Sequence, residues 1–178
     1  MSTFNVLVND KAIQAKLTEL ASRTTNLRPA LTDIGEALKI QIDRYFAAQT
    51  GPDGKPWAAN QLDTVRAYGK KRSGYSKKTG QRSARGKAIE ESKKILQGLT
   101  GDLRRQIYWR ANESAVILGS PMKYAAIHQY GGQFKAWGKT TLTMPSRPFM
   151  PVDQNDNLYP AAQALILKRL EQHLSQLK

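Results

Sequence analysis

"LRRQIYWRANESAVILGS", residues 103–120, decides the fold class. Leu103, Arg105, Ile107 and Trp109 alternate with Arg104, Gln106, Tyr108 and Arg110. That two-residue period belongs to a strand with one face buried. Asn112-Glu113 supply turn chemistry, and "SAVILGS" (114–120) is a β-rich run interrupted by Gly119. The stretch predicts a hairpin over 103–119. Without it the chain would read as helices joined by loops.

Upstream, helices dominate. "TFNVLV" (3–8) reads as a short strand, and Asn9-Asp10 as a helix cap. Ile13, Leu17 and Leu20 then recur at helical spacing. Leu31, Ile34, Leu38, Ile42, Tyr45 and Phe46 repeat every three or four residues after Pro29. They predict a long amphipathic helix over roughly 30–49, ended by the turn residues "GPDGKPW" (51–57). Shorter helices are expected at about 60–69 and 89–99.

Downstream, "MKYAAIHQYGG" (122–132) predicts a short helix stopped by glycines, and "TTLTMP" (140–145) a short strand. A glycine-flanked loop is expected between them. Ala162, Leu165, Ile166, Leu170 and Leu174 predict a last helix over roughly 159–176. The order is β-α-α-loop-β-β-α-β-α. That is one α+β domain over 1–178, a small, mostly antiparallel sheet packed by long N-terminal and C-terminal helices.

Charge is distributed unevenly. The chain has 178 residues and a net charge of +14. Of its 28 Lys and Arg, nine lie between Arg66 and Lys87, a stretch without an acid. They are Arg66, Lys70, Lys71, Arg72, Lys77, Lys78, Arg82, Arg85 and Lys87. The segment 69–87 lacks apolar periodicity and is expected to be a flexible basic loop. Nine cations with Tyr68 and Tyr75 among them suit phosphate backbones, or else an acidic protein surface. There are no cysteines, hence no disulfide and no zinc–thiolate site. The N-terminus lacks the pattern of a signal peptide, and no apolar run is long enough to span a bilayer. These features fit assembly in the cytoplasm.

Catalytic chemistry finds little support. A catalytic histidine needs a nucleophile, an acid or a metal co-ligand nearby, and His128 and His173 fit no such spacing. Glu90 and Glu91 diverge on a helix, and Asp153 and Asp156 read as loop residues. No phosphate-binding or nucleophile-elbow motif occurs. The expectation is no catalytic residue, no metal and no cofactor. Trp57, Phe134, Trp137, Arg147 and Phe149, set among glycines and prolines, are instead candidates for a protein interface.

Four stretches share a further property. "RYFAAQTGPDGKPWA" (44–58), "ILQGLTGDLRRQI" (95–107), "ILGSPMKYAAIHQYGG" (117–132) and "MPSRPFMPV" (144–152) occur in an order that resembles the phage virion morphogenesis family. That family spans Mu-like phages and the tail-completion proteins of other contractile-tailed phages. The resemblance covers nearly the whole chain. Where the family usually reads "LQDTGRLR", residues 96–104 carry an extra Leu99 and a displaced acid.

The resemblance implies a non-enzymatic structural or assembly protein of the virion, made in the host cytoplasm. Tail completion or head–tail joining is the leading role, as a ring, often hexameric, at the neck or the head-proximal tail end. Its partners would be copies of itself, other neck or tail proteins, and phage DNA through non-specific contacts. Capsid assembly and an accessory nucleic-acid-binding role are the alternatives. Tyr124, His128, Tyr130, Gly131 and Gly132 would form a structural signature that turns the chain toward an interface loop.

Overall fold

The long amphipathic stretch forms α2 (Arg28–Ala48), and two hydrophobic clusters are strung along it. A computed structural model describes residues 4–5, 10–136 and 140–177. Pro29 opens α2, where its missing N–H costs nothing. Gln49 ends it in the left-handed conformation at φ 60°. The Gln49 amide donates to Phe46 O at 2.7 Å, and its Oε1 accepts from Ile95 N. The helix end is thereby tied to a segment 46 residues away.

The first half of α2 packs with α1 (Lys11–Arg23) and α7 (Pro160–Gln176). Leu20, Leu31, Ile34, Leu38, Ile166 and Leu170 fill this layer. Asp10 caps α1 by accepting from Ala12 N and Ile13 N. Asp33 on α2 faces Arg169 and His173 on α7, each at 3.4 Å. His173 therefore faces an acid across a helix pair.

The second half of α2 buries Ile42 and Phe46 against Trp57, Leu103, Ile107 and Phe149. Each such side chain taken from water contributes roughly 1.5–3 kcal/mol. Phe46 meets Trp57 edge-on at 5.2 Å and Phe149 at 5.7 Å.

The hairpin forms as the sequence indicates, but it is shorter. Residues Asp102–Arg105 make a helical turn, α5. Strand β2 (Tyr108–Ala111) pairs antiparallel with β3 (Val116–Ser120). Asn112 Oδ1 accepts from Ser114 N at 2.8 Å and Ala115 N at 2.7 Å, which closes the turn. On the other edge of β3 lies β1 (Phe4–Asn5), so β3 is central in a three-stranded antiparallel sheet. The rest of the predicted strand 3–8 lies outside the described residues.

The expected loop after Gly132 is instead a strand. Strands β4 (Gly132–Ala136) and β5 (Thr140–Met144) form a separate antiparallel ribbon, with Phe134 opposite Leu142. The fold is α+β, with two small antiparallel sheets among the described residues. Trp137, a predicted interface residue, lies outside the described residues.

The basic segment also departs from expectation. It is framed by α3 (Leu62–Lys71) and α4 (Ala84–Glu91), with a Tyr75–Arg82 bridge between them. The helix expected over 89–99 therefore lies earlier in the chain, and residues after Glu91 run as turns. Gly74 and Gly86 explain the order. A Cβ on Gly86 would stand 1.9 Å from Gly74 O, so the two backbones touch. Two glycines spaced along a basic stretch carry no apolar period, so the pattern gives no warning of the contact.

Candidate functional site

The basic helical hairpin holds all nine predicted cations, and all nine are exposed. Acids flanking the stretch engage some of them. Arg82 donates to Glu90 at 3.0 Å, Lys87 lies 3.9 Å from Glu91, and Arg66 lies 3.8 Å from Asp63. Tyr75 donates its hydroxyl to the same Glu90 at 2.5 Å. These bonds from Tyr75 and Arg82 hold the Glu90 carboxyl below its ordinary range. Glu90 turns back into the hairpin while Glu91 faces Lys87, the divergence expected of neighbours on a helix.

Lys70 lies over the Tyr75 ring at 5.7 Å, and Arg72 over Tyr68 at 5.3 Å. Both tyrosines are thus occupied by the chain's own cations. Lys71, Lys77, Lys78 and Arg85 have no carboxylate within 4.0 Å among the described residues. These outward charges can meet an external anion.

Three of the predicted interface residues are taken up by the chain's own core. Phe149 is fully buried, and Trp57 is buried with its Nε1–H donating to Pro148 O at 2.8 Å. The buried Arg147 guanidinium donates to Ala58 O at 2.7 Å and Ala59 O at 2.8 Å. The turn after α2 brings Trp57 and Ala58 to the 147–149 segment, and pairing there removes these groups from water. Phe134 remains exposed on the ribbon.

The signature residues hold a junction. Helix α6 (Ala125–Tyr130) presents Tyr124 and His128 edge to face at 5.8 Å. His128 O accepts from Arg147 N at 2.7 Å, and the Tyr130 hydroxyl donates to Asp156 at 3.3 Å. Burial first, then Asp156 and Asp153, push the Tyr130 hydroxyl up to about 12. Gly131 adopts φ 72° and Gly132 φ 128°, and together they turn the chain from α6 into β4. A Cβ at Gly131 would meet Ser146 N at 2.8 Å. Glycine is required there by both conformation and space.

Sequence reasoning missed Gln129, the centre of this junction. Its Oε1 accepts from Phe149 N and Met150 N, each at 2.9 Å, and its Nε2 donates to Val152 O at 2.9 Å. A polar residue between His128 and Tyr130 on a short helix reads as a surface position, so nothing local marks it. Asp153 directs its carboxylate to Asn155 N and Asn157 N. Among the described residues no group of three His, Cys, Asp or Glu is arranged to hold a metal ion. None of their helices is long and apolar enough to cross a membrane.

An open cleft of about 790 Å³ lies between α3, the 93–102 segment, α6 and the ribbon. Exposed Leu99, Tyr124, Phe134 and Leu142 line it together with Lys71, Lys93 and Arg147.

The sequence pattern of the phage virion morphogenesis family matches residues 8–175. "Putative capsid assembly protein G" of Escherichia phage Mu is 30% identical over 151 residues, 84% of each chain. No solved structure matches. With the match running from α1 to α7, the chain belongs to the phage virion morphogenesis family and serves in phage particle structure or assembly.

Proposed function

We propose that the chain is a non-enzymatic tail-completion or head–tail joining component, working as a ring of its own copies at the neck or head-proximal tail end. The supporting observation is the distribution of its surface. Exposed Leu99, Tyr124, Phe134 and Leu142 share one cleft, and the exposed cations Lys71, Lys77, Lys78 and Arg85 share one helical hairpin. Surfaces of this kind suit contacts between macromolecules, whereas a catalytic site needs convergent titratable groups around a reacting atom. His128 meets the Tyr124 ring edge to face, a packing contact.

Electron microscopy of lysates from a phage lacking this gene tests the reading. Full heads beside separate, finished tails are the expected result. Defective heads with normal tails would move the protein to capsid assembly, the role that the Mu relative's name carries.

A second reading is carried by the basic hairpin. Lys71, Lys77, Lys78 and Arg85 would contact phosphates without reading sequence if the hairpin faced a DNA passage. Duplex binding that weakens steeply with salt, and with neutralisation of these residues, is its test.

A further inference from the structure

The cleft beside the ribbon combines two properties. Its walls are apolar: Leu99, Tyr124, Phe134 and Leu142 come from three separate parts of the chain and are each more than a third exposed. Phe134 and Leu142 are direct partners across the ribbon, so both stand on the same face.

Its inner wall is cationic and lacks counter-charge. Arg147 directs its donors to Ala58 O, Ala59 O and Met144 Sδ, all neutral. The Lys93 ammonium donates to Lys94 O at 2.6 Å and to Gln97 O, and lies over the Tyr68 ring at 5.0 Å. Among the described residues no carboxylate is within 4.0 Å of either cation. Burial lowers both, and Arg147 also lowers Lys93. Among the described residues, the buried Nδ1 of His128 has no hydrogen-bond partner. The carboxylates at the rim are already engaged: Asp102 with Thr100 and Arg105, Asp63 with Arg66.

We infer that this cleft docks an extended segment of another assembly protein, one that places carboxylate side chains beside aliphatic or aromatic ones. An uncompensated, partly buried cation gains most from an incoming carboxylate, because the cost of removing it from water is already met by the fold. Apolar side chains of the same segment would cover the exposed walls. A second copy meeting this cleft would bring the same rim carboxylates, Asp102 and Asp63, which are already engaged within the chain, so the proposed ring of copies would meet through other faces. A phosphate backbone would answer the cations but not Leu99, Phe134 and Leu142. The inference rests on the assembly reading only for the source of the segment.

The test uses the purified full chain and a fluorescein-labelled peptide alternating Glu and Leu. Anisotropy should show saturable binding, with Glu–Ser and Gln–Leu peptides weaker by about tenfold or more. Leu99→Asp and Lys71→Glu, both exposed positions, should each weaken the Glu–Leu peptide about tenfold. Lys168→Glu, of equal charge change on α7, should leave binding unchanged. Circular dichroism melts confirm that the variants fold.

Absence of binding overturns the inference, as does equal binding of Glu–Ser, which would be attraction by charge alone. Self-association abolished by the same two variants would assign the cleft to a second copy and overturn it too. Because the peptide assay needs no virion, its failure beside a particle defect in the gene deletion would leave the assembly reading standing.

Discussion

Gly35, midway along α2, lies flat against the indole of Trp109 on β2: a Cβ added at residue 35 would stand 2.4 Å from Trp109 Cε3. This contact seats the hairpin on the long helix. Gly35→Ala gains about 1 kcal/mol of helix propensity. Against that stands an overpacking cost of typically 1–3 kcal/mol, and 2.4 Å leaves no ordinary contact. The expected outcome is a net loss, with the melting temperature falling by a few degrees. Combining Gly35→Ala with Trp109→Leu should recover part of it, and a double-mutant cycle measures the coupling.

Gly86→Ala should act locally. Its Cβ would meet the Gly74 carbonyl, a backbone atom that cannot swing aside. Gly74 O also accepts from Ser83 N at 3.0 Å and Ser83 Oγ at 2.9 Å, so the shift breaks the start of α4. Hydrogen exchange should accelerate across 74–91 while the amides of α2 and α7 keep their protection. Uniform loss of protection would show that the hairpin is integral to the core.

The sequence-level reading succeeds where a period or a cap is local. Helices α1, α2 and α7 follow from Leu20, Ile34, Leu38, Ile166 and Leu170 at helical spacing, and the hairpin turn follows from Asn112. It fails where order comes from distant contacts. The basic segment gains its structure from the Gly74–Gly86 approach and from Glu90, which lies just outside the stretch without acids. Strand β4 hides behind two glycines and becomes visible only opposite β5. Trp57, Arg147 and Phe149 look like interface residues until the turn after α2 folds onto the 147–149 segment. The cleft is assembled from four separate segments; among its named residues, Phe134 and Arg147 read as interface candidates in the sequence and Lys71 as a contact for phosphate or an acidic surface.

Gln129 satisfies three backbone groups from inside the fold, and its side chain is 1% exposed. Gln129→Ala orphans Phe149 N, Met150 N and Val152 O, at a cost of roughly 3 kcal/mol or more. Gln129→Glu keeps the acceptors but offers Val152 O no donor until the carboxyl is protonated. Its deficit should therefore shrink as pH falls, whereas that of the alanine variant should not. Urea denaturation at several pH values separates the two.

His128 gives the native chain its own pH signal. Burial, followed by the nearby Arg147, lowers its pKa below the ordinary 6.5. The unfolded chain then binds more protons than the folded one at pH values between the folded pKa and 6.5. Stability is fully present above that window and declines as pH falls through it. His128→Gln removes this titration, so its stability curve should be flatter from neutral pH into the mildly acidic range. Parallel curves for the two proteins would mean that His128 is as free to protonate when folded as when unfolded.

The exposed cations of the hairpin make the last prediction. Arg82 is bonded to the largely buried Glu90, so replacing it would disturb the hairpin as well as any binding, and Arg66 and Lys87 already face acids at the surface. Lys77, Lys78 and Arg85 are exposed and have no ion pair among the described residues, so they isolate the electrostatic contribution. Their combined replacement by Gln should weaken duplex DNA binding equally for unrelated sequences. It should also make the dependence of log affinity on log salt shallower, by about one for each phosphate that is no longer neutralised. Retained affinity with an unchanged slope would place any DNA contact elsewhere.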